Sequence, residues 1–211
     1  MYITIDGQVT IHDRGVKKAV LKAVSEDGYA LRFATEELKA DKDVVLTAVA
    51  QNGYVLAYAS AELRADKDVV LAAVAQYGRA LEYASIILKG DMVVVREAVK
   101  NDGRALKYAS VKAQADKSVA LVAVVQFGRL LKFVSPNLRV YKADYKKVVL
   151  AAVAQDGSAL EYASDDLRDD KEVALAALSQ SAGARHFISE ELQADKDVLI
   201  AAAAALTRDW R

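Results

Sequence analysis

The chain has 211 residues, of which 54% are hydrophobic, so it is long and apolar enough to bury a large core. One proline and ten glycines among abundant alanine, valine and leucine favour a mostly helical protein. The absence of cysteine excludes disulfides and thiolate metal sites, and 29 basic against 29 acidic side chains leave no overall charge to attract nucleic acid or anionic membranes.

The first residues, YITIDGQVTI, alternate around Asp6-Gly7, a pattern that predicts a β-hairpin. We interpret residues 1–12 as a cap over the first helical repeat, because repeat arrays need covered ends; a strand offered to a partner is the alternative. No basic segment followed by an apolar one opens the chain, so no secretory signal is visible. We therefore expect a soluble protein of the cytoplasm or an organelle.

From residue 13 onward, one line of about 25 residues recurs. It reads roughly D-K-x-V-V-L-x-A-V-x-Q-x-G-x-A-L-x-Y-A-S-x-x-L. The steps between successive end markers are all 25 residues except one of 29, and the markers are Thr35, Ser60, Ser85, Ser110, Ser135, Ser164 and Ser189. A short fixed period predicts an array of stacked repeats.

Each position of the line has a physical interpretation. Asp66 precedes an apolar run by three residues and is predicted to cap a helix, which Gly78 ends in the left-handed conformation that glycine tolerates. The stretch RALEYAS is predicted to be a second short helix, and Ser85 begins a further turn. One aromatic position recurs in every line and predicts a buried seam between repeats: Phe33, Tyr58, Tyr83, Tyr108, Phe133, Tyr162 and Phe187.

The predicted fold is all-α: an α-solenoid of about seven two-helix repeats over residues 13–211, with an irregular insertion at 135–147. The last line stops in mid-repeat. Its apolar run, VLIAAAAAL (198–206), is far shorter than the roughly 20 residues of a membrane span. A longer parent chain, a partner, or a cap such as Trp210 is expected to cover that helix.

The recurring line resembles a family of tandem helical repeats catalogued only as a domain of unknown function, found in bacteria, including effectors of intracellular pathogens, and in algae and dinoflagellates. The resemblance covers almost the whole chain from residue 13. It implies a helical-repeat scaffold and supplies no catalytic or ligand residues. The chain departs from the pattern at Ala113, at Arg185 and at Ala182-Gly183, where we expect less regular packing.

Charge is polarised along the chain. Residues 79–147 carry 14 basic and 6 acidic side chains, a net charge of +8, whereas residues 1–78 have −2 and residues 148–211 have −6. Arg79, Arg104 and Arg129 follow the glycine of three successive lines, and Lys107 and Lys132 share another position. Stacking would space them at steps of roughly 10 Å, so they form either a basic binding surface or an ordinary solvated face.

The 29-residue line holds the only proline and the segment SPNLRVYKADYKKVV. Tyr141 and Tyr145 lie there among Lys146 and Lys147, outside the repeated positions, so this segment is either a simple loop insertion or a binding loop. The two histidines, His12 and His186, are far apart in the sequence and predict neither a metal site nor a proton relay.

We see no catalytic or cofactor motif, and we expect a protein that is not an enzyme and needs no cofactor. The favoured function is a protein-interaction scaffold or accessory subunit of a larger assembly, organellar or photosynthetic if the source is an alga. Its partner would carry an acidic patch. The alternative is binding of an anionic polymer or peripheral membrane surface through the basic row; three identical arginines argue against a base-by-base nucleic-acid code.

Overall fold

The computed structural model describes residues 14–209, and the regular secondary structure of that part is entirely helical. This confirms the all-α prediction. The predicted N-terminal hairpin, His12 and Trp210 lie outside the described residues. Within residues 14–209, no helix is both long and apolar enough to cross a bilayer.

Each repeat contains three helical segments, where the sequence predicted two. The first is a long α-helix, usually of ten residues. The long helices are α1 (Arg14–Glu26), α2 (Lys42–Gln51), α3 (Lys67–Gln76), α4 (Met92–Asn101), α5 (Lys117–Gln126), α6 (Lys142–Gln155), α7 (Lys171–Gln180) and α8 (Lys196–Asp209).

A six-residue 3₁₀ helix follows each of the first seven long helices. These segments are Gly28–Phe33, Gly53–Tyr58, Gly78–Tyr83, Gly103–Tyr108, Gly128–Phe133, Gly157–Tyr162 and Ala182–Phe187. The third segment is a short helical turn, at Glu36–Lys39, Leu63–Ala65, Leu88–Gly90, Val111–Gln114, Pro136–Val140, Asp165–Arg168 and Glu190–Gln193. The predicted second helix is therefore a 3₁₀ helix, and the turn after the marker serine is a segment of its own.

Aspartates cap the long helices as predicted. The Asp66 carboxylate accepts hydrogen bonds from the backbone N–H groups of Asp68 at 3.0 Å and Val69 at 3.2 Å. These groups have no partner inside the helix, so the cap fixes where the helix starts. Asp41, Asp91 and Asp195 make the same two hydrogen bonds, and Asp116 and Asp170 cap their helices by accepting from the backbone N–H groups of Val119 and Val173.

The repeated glycines lie where predicted, but for a different reason. Gly53 does not have a left-handed backbone; it opens a 3₁₀ helix that presses against the next repeat. A Cβ atom on Gly53 would lie 2.1 Å from the carbonyl oxygen of Ala73, and one on Gly78 would lie 2.3 Å from that of Ala98. The backbones of successive repeats therefore lie in direct contact, and only glycine, which has no Cβ atom, fits at this position.

The aromatic column does not form the buried seam that the sequence predicted. Phe33 is 75% exposed, and the other six members are half-buried. The core is instead built by the leucine two positions earlier, which is at most 2% exposed in six repeats: Leu31, Leu56, Leu81, Leu106, Leu131 and Leu160. Pairs of adjacent valines in the long helices, such as Val69 and Val70, complete it.

The chain divides into two compact units, Met1–Ser110 and Val111–Arg211. In the first unit, α1 packs on α2, α2 on α3 and α3 on α4. In the second unit, α5 to α8 pack on one another in the same order. Each unit is thus a stack of repeats in which a helix contacts its neighbours in sequence.

Two of the three departures from the repeat pattern change the local burial. Arg185 is exposed although leucine is buried at that position in the other repeats. Ala182 replaces the buried glycine and is only half-buried, in line with the looser packing expected there. Ala113, by contrast, is fully buried and occupies the place of the leucine.

The insertion forms helix, which contradicts both loop interpretations. Pro136–Val140 is a 3₁₀ helix, and α6 has 14 residues because the four extra residues add one turn at its start. The helical period of 3.6 residues allows such a turn to be added with little change of the buried face downstream.

Candidate functional site

A row of ion pairs links successive repeats, and the sequence analysis missed it. The Lys67 ammonium lies 2.7 Å from the carboxylate of Asp91, which caps the next long helix. Equivalent pairs join Lys17 to Asp41, Lys42 to Asp66, Lys146 to Asp170 and Lys171 to Asp195, and Lys117 reaches Asp144. The signal was visible as the D-K dipeptide, because its lysine precedes the next capping aspartate by 24 residues. We call this set the capping-pair row.

The capping-pair row predicts that acid destabilises the fold. Lys42 lowers the pKa of the Asp66 carboxyl below its ordinary value, and Lys67 does the same for Asp91. A carboxyl with a lower pKa in the folded state stabilises the fold above its unfolded pKa, and this stabilisation is lost as pH falls through the folded pKa. We expect the melting temperature, followed by circular dichroism, to fall steeply below about pH 4.

Methionine replaces the lysine of this row naturally at Met92. A Lys42→Met, Lys67→Met variant should therefore fold at neutral pH and lose part of the acid dependence. An unchanged pH profile in that variant would show that these pairs do not control the acid transition.

Side-chain amides at the end of the long helices also serve stacking. Asn101 accepts a hydrogen bond from the Gly78 backbone N–H at 2.7 Å and donates to the Ala75 carbonyl oxygen at 2.8 Å. Gln155 accepts in the same way from Gly128. Asn101 and Gln155 therefore each cap the neighbouring 3₁₀ helix.

Two of the three predicted arginines contact the aromatic column of the next repeat. The Nη2 atom of Arg129 donates a hydrogen bond to the Tyr162 hydroxyl at 3.1 Å and lies 3.4 Å from a carboxylate oxygen of Glu161. The nearby Tyr108 hydroxyl raises the pKa of the half-buried Arg79. These arginines therefore help to join repeats. Tyr54 occupies the same repeat position as Arg79, and its ring centroid lies 5.4 Å from that of Tyr83 in the next repeat.

Arg104 pairs within its own repeat. Its Nε donates to the two carboxylate oxygens of Asp102 at 2.9 and 3.1 Å. Burial would raise the pKa of Asp102, but hydrogen bonds from Arg104 and the charge of Arg79 hold that pKa below its ordinary value.

Four of the predicted basic residues have side chains that remain accessible to solvent. The side chains of Arg104 and Arg129 are 57% and 56% exposed, and Lys107 and Lys132 are exposed as well. The Lys107 ammonium lies 5.4 Å from the Tyr108 ring centroid, and the Lys132 ammonium 5.0 Å from that of Phe133. Such cation–π contacts orient the lysines at an exposed site without removing them from solvent.

Three segments of the chain match one family model, described as Domain of unknown function (DUF4116): residues 17–64, 66–112 and 145–193. Together they cover more than half of the chain. The chain belongs to this family. Each match spans about two of the 25-residue lines, so one DUF4116 unit corresponds to two structural repeats. Comparison with curated proteins and with solved structures gave no match.

The insertion begins between the second and third DUF4116 matches, and the structure separates its four candidate residues. Tyr141 is 66% exposed and Lys147 is exposed. Tyr145 is 4% exposed and replaces the capping aspartate, with the Arg139 guanidinium 5.6 Å from its ring, so its prediction as a binding residue is wrong. Lys146 is likewise engaged, since it pairs with Asp170 at 2.7 Å and Glu172 at 2.8 Å in the capping-pair row.

Tyr145 does not lie outside the repeated positions, as the sequence analysis expected. Tyr145 and Lys146 occupy the D-K positions of the DUF4116 line, counted back from the valine pair of α6, so they are not outside the repeat. This was not evident from the sequence, because tyrosine replaces the aspartate that marks the start of the other lines. Within residues 14–209, no three histidine, aspartate or glutamate side chains are grouped to hold a metal ion.

Proposed function

We propose that this DUF4116 chain is a protein-interaction scaffold without enzymatic activity, or an accessory structural subunit of a larger assembly, and that its repeats stack as an α-solenoid. The observation that carries the proposal is the recurring 24-residue spacing of five inter-repeat pairs. Lysine and capping aspartate are 24 residues apart at both ends of the chain, in Lys17–Asp41 and in Lys171–Asp195.

Constant contacts between neighbours favour a regular stack, because each repeat then meets the next with the same geometry. The repeated positions are occupied by this stacking: aspartate caps, glycine permits close approach, leucine and valine fill the core. The varied positions remain on the surface. In repeat proteins, extended surfaces of varied residues typically bind other macromolecules.

The exposed basic residues give this surface a preference for acidic partners. Lys107 and Lys132 are exposed, and Arg104 and Arg129 are more than half exposed. A basic surface attracts an acidic partner and speeds association with it.

We expect a Lys107→Glu, Lys132→Glu variant to lose its partner, because charge reversal replaces attraction by repulsion. The measurement is cross-linking followed by affinity purification of the tagged chain from its native source, with mass spectrometry of the captured proteins. Lys18→Glu, Lys196→Glu is the matched control, since both lysines are exposed and lie outside residues 79–147. Failure of the unaltered chain to capture any stoichiometric protein would contradict the proposal.

Binding of an anionic polymer or membrane is the second candidate, and the accessible guanidinium groups of Arg104 and Arg129 favour it. It predicts that affinity for a 20-base-pair DNA duplex, or for phosphatidylserine vesicles, falls steeply as salt is added. Affinity that does not depend on salt, or no binding at low salt, would exclude this function.

A further inference from the structure

One stretch of the first unit exposes aliphatic side chains at positions that are acidic in several other repeats. Ile86 is 77% exposed, Ile87 79% and Val93 58%. In the first repeat the same three positions are Glu36, Glu37 and Asp43, and in a later repeat they are Asp165, Asp166 and Glu172. We call Ile86, Ile87 and Val93 the aliphatic patch.

The aliphatic patch has no role in the stacking contacts described above. The core leucine of its short segment is Leu88, which is 6% exposed, and the helix cap is made by Asp91. In this same repeat, Met92 replaces the lysine of the capping-pair row. Four substitutions within residues 86–93 thus change a charged edge to an apolar one, and exposed apolar clusters of this kind mark interaction sites.

Basic side chains continue the patch along α4. Val93, Arg96 and Lys100 are exposed and follow one another at i, i+3 and i+7, so they share one face of the helix over a length of about 10 Å. The exposed surface of this repeat is therefore apolar at the start of α4 and basic towards its end.

We propose that the aliphatic patch, with Arg96 and Lys100, docks an acidic amphipathic segment of a protein partner, whose aliphatic side chains cover Ile86, Ile87 and Val93. The partner's carboxylates then meet the basic part of α4. This deepens the scaffold function proposed above and depends on it, because it names the chemistry of one partner at one repeat.

An anionic membrane offers the same chemistry but fits this surface less well. Ser60 N donates to the Lys39 carbonyl oxygen and Ser85 N to that of Arg64, so the short segments of successive repeats form one edge. Upstream of the patch, that edge carries the exposed acids Glu37 and Glu62. A bilayer that covers the patch also approaches these carboxylates and is repelled, whereas a short helical segment can cover the patch and the basic part of α4 without lying over them.

A second copy of the chain is disfavoured by charge. Two patches meeting about a two-fold axis bring Arg96 and Lys100 of both copies to the same interface. Like charges brought together in this way oppose association.

The test is selection of a displayed library of random 16-residue peptides on the full chain. The counter-selection variant is Ile86→Glu, Ile87→Glu, Val93→Asp, which carries the residues of the first repeat at these positions. We expect enriched peptides with aliphatic residues at helical spacing and a net negative charge. Their affinity for the variant should be about 30-fold weaker or more, as for loss of a hot spot.

Val140→Glu is the matched control, because Val140 is 79% exposed and lies outside the patch; it should leave peptide affinity unchanged. Enriched peptides that are basic, or that bind the variant equally well, would overturn the proposal. Flotation with phosphatidylserine vesicles and sedimentation equilibrium supply the other outcomes. Vesicle binding or dimerisation that the triple substitution abolishes would assign the patch to a membrane or to a second copy instead.

The result separates this inference from the scaffold function. If the tagged chain captures a partner that the triple variant also captures, the scaffold stands and the docking site is wrong. If no partner is captured at all, the scaffold itself is wrong.

Discussion

Replacing Gly53 by alanine should lower the free energy of unfolding by about 3 kcal/mol, as measured by urea denaturation, because the added methyl group overpacks the repeat interface. Its Cβ would lie 2.1 Å from the Ala73 carbonyl oxygen. The obstacle is backbone of the next repeat, which cannot turn aside as a flexible side chain can. The two repeats must separate, and the pairs and caps between them weaken together.

Gly183→Ala is the control, since it is the same substitution in a place with room. The nearest atom to a Cβ there is the Ser181 hydroxyl oxygen at 3.4 Å. We expect stability to change by no more than about 0.5 kcal/mol, or to rise slightly because alanine restricts the unfolded chain. Equal losses at both positions would mean that close approach is not the reason for the repeated glycine.

Leu81→Ala should cost about 2–5 kcal/mol, the usual range for deleting a buried leucine side chain. Leu81 is fully buried, and the same position is filled by leucine in five other repeats. Phe33→Ala removes a larger side chain from the aromatic column, but Phe33 is 75% exposed, so its loss should cost about 0.5 kcal/mol or less.

These two variants decide where the core lies, and urea denaturation of both measures it. A Phe33→Ala loss as large as that of Leu81→Ala would restore the aromatic seam that the sequence predicted. A much larger loss of unfolding free energy for Leu81→Ala than for Phe33→Ala would place the core on the leucine side of the 3₁₀ helix.

The repeat and its helix starts could be predicted from the sequence because they depend on local rules. Asp66 caps the helix that begins at the next residue, and nothing outside that helix is needed to predict this. The period of the repeat could be predicted because the same residues recur at a fixed interval.

Interactions between repeats could not be predicted in the same way. Spacing alone places Gly53 at a helix end but gives no distance to Ala73, so the left-handed turn was the available explanation. The lysine of D-K, such as Lys67, carries a signal only when it is paired with an aspartate 24 residues later. The burial of the aromatic column was overestimated because a fixed position in each line shows repetition, not depth.

The candidate site illustrates the same division. Arg79 was expected to belong to a basic binding surface or to a solvated face, yet Arg79 and Tyr54, which occupy the same repeat position, both lie beside the aromatic column of the next repeat. Part of the arginine row is thus structural. The exposure of Ile86 and Ile87 could not be predicted, because single apolar residues in an apolar sequence carry no signal of their own.

The measurement that most directly separates building positions from binding positions is urea unfolding of Gly53→Ala beside the Ile86→Glu, Ile87→Glu, Val93→Asp variant. We predict that the glycine variant loses about 3 kcal/mol while the triple variant stays within about 0.5 kcal/mol of the unaltered chain. Loss of stability in the triple variant, with the glycine variant unharmed, would contradict the view that the repeated residues build the array and the departures from them bind its partner.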